Sequence, residues 1–277
     1  MTIDEALREA TLRLDASSTA RLDAEVLLAH VCQRDRTWLY TWGDRVLARD
    51  VAEAFEALVG RRVEGWPVAY LTGEREFWGL PIQTSPATLI PRPDTERLVE
   101  VALEASAGRA TGALLDLGTG TGAVALAFAS ERSGWQVTGV DVAKDAVALA
   151  TDNGRRLQIV NAAFLQSDWF AAVGERRFDL IVSNPPYIAA GDPHLALSDV
   201  RFEPESALVA ADQGLHDIRR IVSVAPLHLS DGGELWIEHG YAQGASVRDM
   251  LTQRGFAGVA SHRDLAGHER VSGGRWR

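Results

Sequence analysis

The chain has 277 residues, 46% hydrophobic and 24% charged, a globular balance that excludes a disordered or fibrous protein. Its 38 acidic and 28 basic side chains leave a net charge of −10, which disfavours broad contact with the phosphates of nucleic acid. Cys32 is the single cysteine, so no internal disulfide or cysteine-built zinc site can form, and the seven histidines show no ligand spacing; no metal is expected.

The N-terminus is acidic where a secretory signal carries base, and no apolar run approaches the roughly 20 residues of a membrane span. A cytoplasmic protein with no membrane association is expected. Residues 1–73 read as a small helical domain. Thr2 and Glu5 have capping-box spacing before Ile3, Ala6, Leu7 and Ala10 at helical intervals. A second helix runs through Leu22, Val26, Leu27 and His30, followed by a short element at Trp38 and Leu39. Asp50 with Glu53 repeats the capping spacing ahead of Val51, Phe55, Leu58 and Val59. Arg61-Arg62 reads as a solvated helix end.

Prolines at 67, 81, 86, 91 and 93 break the helical pattern, so residues 74–93 read as a linker, hairpin-like around Phe77, Leu80 and Ile82. From 94 to 277 the pattern is βαβ, with Asp94 placed to cap the first helix. Apolar strands are predicted at 113–117, 135–141, 162–168, 178–183 and 233–238, with helices between them. Strands apolar on both faces imply a mostly parallel sheet covered by helices. Two last extended pieces, 258–263 and 270–277, predict an antiparallel edge pair. The fold class is α/β, a Rossmann-like open sheet behind a small helical domain.

The first strand ends in Asp116-Leu117 and turns into a helix through Gly118, Thr119, Gly120, Thr121 and Gly122. Such a turn at the carboxyl edge of a parallel sheet lets backbone approach a ligand closely. Asp141 ends the next strand, where a carboxylate can accept from ribose hydroxyls. Together they indicate a nucleoside cofactor and leave a nicotinamide dinucleotide and S-adenosylmethionine open. After the third strand, Asp168 can accept from an adenine amino group while Trp169 offers a stacking face.

Asn184-Pro185-Pro186-Tyr187 follows the fourth strand. The prolines cannot continue strand or helix, so they form a stiff turn presenting the Asn184 carboxamide and the Pro185 carbonyl. Two fixed acceptors can hold both protons of a planar NH2 group, with the Tyr187 ring against its plane. An amide or aromatic amine is a poor nucleophile, and acceptors that favour its pyramidalisation assist attack on a methyl sulfonium. Hydride transfer has no use for this arrangement.

Asn184–Tyr187, with the glycine turn upstream, resembles the amino-methyltransferases that use S-adenosylmethionine. That motif alone does not separate adenine-N6 methylation of DNA or RNA from glutamine-N5 methylation of protein. Its companions are Arg21–Glu25, Glu76–Leu80, Pro91–Glu96, Gln166–Phe170, Val200–Pro204 and Glu238–Gly240. These resemble the peptide chain release factor glutamine-N5 methyltransferases, the HemK/PrmC family, over nearly the whole chain. The resemblance implies a class I methyltransferase domain, a helical domain that docks the substrate, and methylation of the Gly-Gly-Gln glutamine of class-1 release factors. It places Gly118–Gly122 at the cofactor's methionine end, Asp141 at its ribose, and Asp168 and Trp169 at its adenine. Asn184 would touch both cofactor and substrate. Asn184 and Pro185 would accept from the substrate amide, and Pro186 and Tyr187 would shape its slot. Arg92 and Thr95 border that site without an assigned role. His239 is expected to be structural more than functional, and the protein to act as a monomer without nucleic acid.

Overall fold

The computed structural model describes residues 1–196 and 198–277, which divide into two compact units. The first comprises Met1–Glu74 with Ala196–Phe202, the second Arg75–Leu195 with Glu203–Arg277.

The first unit packs helices α1 (Ile3–Arg13), α2 (Ala20–Cys32), α3 (Arg36–Thr41), α4 (Arg49–Val63) and α5 (Val68–Thr72). Ile3, Leu7, Leu27, Leu28, Leu39, Phe55 and Val59 fill its core, the helical-period positions the sequence marks. The Thr2–Glu5 capping box forms reciprocally, at 3.2 and 2.8 Å. The Asp50 cap does not. Helix α4 begins at Arg49 after an uncapped Ala48, and Glu53 pairs with Arg49 at 2.7 Å instead. Nor is Arg62 a solvated helix end: its side chain is 9% exposed and bonds Asp23 and Asp199, each at 2.8 Å. Asp199 lies in the returning segment, whose Phe202 ring packs on Trp66 at 4.7 Å. Only Arg61 keeps an exposed-end role, its guanidinium over the Trp66 ring.

The second unit opens with a strand pair, β1 (Glu74–Phe77) and β2 (Leu80–Gln83). Its Phe77 and Ile82 enter the core of this unit. Then follow α6 (Glu96–Ala105), β3 (Gly112–Leu117), α7 (Ala123–Glu131), β4 (Trp135–Asp141), α8 (Lys144–Arg156), β5 (Ala162–Gln166) and β6 (Phe178–Ser183). Short β7 (Ile188–Ala189) and β8 (Val209–Ala210) pair beyond them, before α9 (Ala211–Gly214) and α10 (His216–Val224). The chain ends with β9 (Leu229–Glu238), α11 (Gly244–Arg254), β10 (Ala257–Arg263) and β11 (Glu269–Arg275).

Seven strands form the main sheet in the order β10-β11-β9-β6-β3-β4-β5. β9, β6, β3, β4 and β5 are mutually parallel, and β11 and β10 add antiparallel at one edge. Alternation along β3 sends Leu114 to one face and Leu115 and Leu117 to the other, so each face carries its own core. Parallel pairing brings the carboxyl ends of β3, β4, β5, β6 and β9 to one edge, where the motifs lie. Asp94 departs from its expected role: it sits in a 3-10 turn, Pro93–Thr95, and pairs with Arg270 at 3.3 Å rather than capping α6.

Candidate active site

A cavity of about 350 Å³ opens at that edge of the second unit. Gly118 and Thr119 both donate their N–H to the Val140 carbonyl at 2.9 Å, tying the turn after β3 to β4. Gly120 has φ +55° and open space where a Cβ would stand, so the turn is bare toward the cavity. Gly122, at φ +82°, caps α7 where a Cβ would press on Ala150 and Phe164 at 3.0 and 3.1 Å. Gly118, Thr119, Gly120 and Thr121 line the cavity; Gly122 lies behind them.

Asp141 is held by two backbone amides, Gly120 N–H on Oδ2 and Ala143 N–H on Oδ1, both at 2.9 Å. Each oxygen keeps a further lone pair for a ligand hydroxyl. Asp116, 2% exposed, accepts from the Thr119 hydroxyl at 2.6 Å. Burial, with Asp141 nearby, pushes its carboxyl up to about 7. β5 ends two residues sooner than its pattern suggests, and Ser167 turns the chain by donating to the Trp169 carbonyl. Trp169 takes φ +51° and lines the cavity beside Gly118. Asp168 lines it too, bound by both oxygens to Arg220 at 2.9 and 2.8 Å.

At the end of β6, Asn184 and Pro186 line the cavity, whereas Pro185 and Tyr187 stand outside its wall. Asn184 donates from Nδ2 to the Thr95 hydroxyl at 3.2 Å, and among the described residues no hydrogen bond ends on its Oδ1. Tyr187 donates its phenol to Glu238 Oε1 at 3.2 Å. Burial and the adjacent Glu238 push that phenol up, so it remains a donor. His239 is fully buried between the Gly240 carbonyl and Ser272, and burial lowers its pKa.

Arg92 and Thr95 do border the cavity. Arg92 pairs with buried Glu203, whose other oxygen accepts the Ile90 N–H at 3.0 Å, so Glu203 pins the segment entering the site. Asp217 and Arg220 of α10 also line the cavity and were not legible, because charges on an amphipathic helix read as its solvated face. The role of Glu238, noted only within a motif, depends on contacts across 51 residues of chain.

Residues 5–73 match a family model described as PrmC N-terminal domain, and residues 94–202 one described as methyltransferase small domain. A release factor glutamine methyltransferase of Vibrio cholerae is 53% identical, over 100% of this chain and 98% of that protein. Those of Pseudomonas aeruginosa and Escherichia coli are 54% and 51% identical, each over at least 95% of both chains. The chain belongs to the release factor glutamine methyltransferases. The wider fold is that of methyltransferases in general. The hMettl16 catalytic domain in complex with a MAT2A 3′UTR hairpin superposes with TM-score 0.60 at 16% identity, covering 76% of this chain and 79% of its own. A T. thermophilus 16S rRNA methyltransferase in complex with AdoMet and guanosine gives 0.55 at 23%, covering 74% of this chain and 50% of that one. Both share this α/β layout. The residues of this family member suit S-adenosylmethionine: a bare glycine turn, a carboxylate fixed at a strand end and an indole share one cavity.

Proposed function

We propose that this enzyme transfers the methyl group of S-adenosylmethionine to the side-chain nitrogen of the glutamine in the Gly-Gly-Gln motif of class-1 peptide chain release factors. The observation that carries the proposal is the Asn184 carboxamide, tied at Nδ2 to Thr95 with Oδ1 left open at the cavity wall. When bound, S-adenosylmethionine supplies an electrophilic methyl on a positive sulfur. Gly118–Thr121 would cradle its methionine end, with Gly122 shaping the turn behind them, Asp141 would accept from its ribose, and Asp168 and Trp169 would receive its adenine.

Asn184 Oδ1 and the Pro185 carbonyl accept the two N–H groups of the substrate amide. They would orient its nitrogen and favour the positive charge that grows there as the new C–N bond forms and the methyl's bond to sulfur breaks, the sulfur keeping the electron pair and leaving as a neutral thioether. Pro186 and Tyr187 hold the slot's shape. The nitrogen loses one proton to solvent, and the amide stays neutral. Proximity and fixed acceptors suffice for this; no strong base is needed.

We assign docking of the release factor to the helical domain, residues 1–73, with 74–93 as the connecting stretch and 94–277 as the catalytic part. We also read the enzyme as a monomer of the cytoplasm, and as one that needs no nucleic acid, this last point supported by its net charge of −10. No helix of the described residues is long and apolar enough to cross a membrane.

The test is transfer of labelled methyl from S-adenosylmethionine to a purified release factor, with the site read by mass spectrometry. One methyl on the Gly-Gly-Gln glutamine is expected; label in DNA or RNA adenine and none in protein would overturn the proposal. Asn184→Ala is expected to lower kcat by about 100- to 1,000-fold, with S-adenosylmethionine still bound.

A further inference from the structure

We infer that Glu238 is a positioning residue which, acting through the Thr95 hydroxyl, determines which end of the Asn184 carboxamide faces the substrate. The inference rests on the methyl-transfer reading and adds to it how the acceptor is oriented.

A carboxamide has an acceptor end and a donor end of nearly equal shape, and a half-turn exchanges them. Only the oxygen can receive the N–H of a substrate amide; the flipped form sets two donors against each other. Something must therefore fix the orientation. Thr95 Oγ1, 3.2 Å from Asn184, cannot do so alone, because a hydroxyl donates as readily as it accepts. What it does depends on where its own proton goes.

The surroundings settle that. Thr95 stands at the N-cap of α6 with helical φ and ψ of −68° and −19°, and its side chain makes no capping bond. Its hydroxyl is therefore left over for the site. Glu238, the last residue of β9, is 1% exposed, with the Thr95 hydroxyl close enough to act on its carboxyl. One of its oxygens accepts from the Tyr187 phenol, while Oε2 is buried with no hydrogen-bond partner. A buried carboxylate oxygen lacking a partner is a strong attractor for a nearby hydroxyl proton. The Thr95 hydroxyl and Arg270 both favour the charged form of Glu238 against the burial that opposes it.

With the Thr95 proton turned to Glu238, its oxygen can only accept from Asn184. Asn184 must then give Nδ2 to Thr95 and keep Oδ1 toward the cavity. The same carboxylate takes the Tyr187 proton, so both sides of the substrate slot are set by one buried group. The parallel pairing of β6 and β9 brings residues 184, 187 and 238 together, and the turn ahead of α6 adds Thr95 to them.

Thr95→Val keeps shape and removes the hydroxyl. Expected is a loss of about 10- to 100-fold in kcat, with the Kd for S-adenosylmethionine and the KM for release factor unchanged and Thr95→Ser restoring the rate. In an Asn184→Ala background Thr95→Val should cost nothing more. Glu238→Gln, whose amide can itself donate, should reduce kcat similarly, and the Thr95→Val/Glu238→Gln pair should be no worse than Thr95→Val. A wild-type kcat in Thr95→Val, or losses that multiply in either pair, would overturn the inference.

The side-chain amide NMR signal of Asn184, assigned by its disappearance in Asn184→Ala, needs no methyl acceptor. One hydrogen-bonded, slowly exchanging proton is expected in wild type and Thr95→Ser and its loss in Thr95→Val and Glu238→Gln. The same signal in all four would reject the inference even if the substrate reading failed.

Discussion

The helical unit and the ends of β3 and β9 treat buried charge in opposite ways, while elsewhere in the second unit Glu203 is paired with Arg92 and Asp264 with Arg270. In the helical unit each buried carboxylate has cations or donors in contact. Glu25, 3% exposed, accepts from Arg21, Arg36 and Tyr40 at 2.7, 2.6 and 2.6 Å. Burial raises its carboxyl, but those three contacts outweigh it and hold the group below its usual range. Asp23 and Asp199 share Arg62. At the edge of the catalytic sheet, by contrast, Asp116 and Glu238 are buried with no cation hydrogen-bonded to them, and both are pushed up to about 7 by desolvation. Paired charges lock a small helical unit together; a buried carboxyl with no cation hydrogen-bonded to it stores a cost that only a site has reason to keep.

The largest expected effect comes from breaking the paired side. Arg62→Met leaves Asp23 buried without its cation and should destabilise the protein by about 3–5 kcal/mol, read as a lower urea midpoint. The Kd for S-adenosylmethionine, measured well below that midpoint, should not move.

Next is the pH response of the unpaired side. A carboxyl whose folded pKa lies above its unfolded value binds more protons when folded, so stability falls as pH rises between the two values. For Glu238 that window runs from about 4.5 to about 7, with the loss complete above it. Glu238→Gln should therefore gain stability relative to wild type on going from pH 5 to pH 8, on the order of 2–3 kcal/mol by linkage. Urea titrations at the two pH values check this, and an equal difference at both would contradict it. Glu25 has the opposite sign: its lowered pKa adds stability above the ordinary value of 4.5 that is lost as pH falls toward the folded one.

Asp141 sharpens the contrast from within the site. Its oxygens are held only by backbone amides, which leave capacity for ribose. Asp141→Ala should weaken S-adenosylmethionine binding by about 10- to 100-fold, as loss of hydrogen bonds to a charged group does. Calorimetry reads it. The smallest effect is Tyr40→Phe, which removes one of three donors on Glu25 and should cost about 1 kcal/mol in stability, leaving methyl transfer intact.

Much of the fold was legible because local pattern and global role agree. β4 and β6 run over 135–141 and 178–183 as their apolar runs indicate, and the glycine turn lies where a strand meets a helix. Local signals failed where a side chain had two uses. Asp50 and Asp94 look like caps, yet the one lies inside α4 and the other turns to Arg270. Arg62 looks solvated because its partner Asp199 returns from 137 residues away. Thr95 and Glu238 carry no local sign of their roles, since hydroxyl and carboxylate gain meaning from what faces them.

What the sequence determined by itself was the inventory and the edge: a helical unit, a parallel sheet, and motifs at strand ends, because side-chain period and proline or glycine constraints act within a few residues. What only the tertiary structure decided was which end of the Asn184 carboxamide looks outward, which buried carboxyls have no cation hydrogen-bonded to them, and that α10 supplies Arg220 to Asp168. Those depend on hydrogen bonds and desolvation between residues 50 to 90 positions apart in the chain, and distances of that kind are set by strand order.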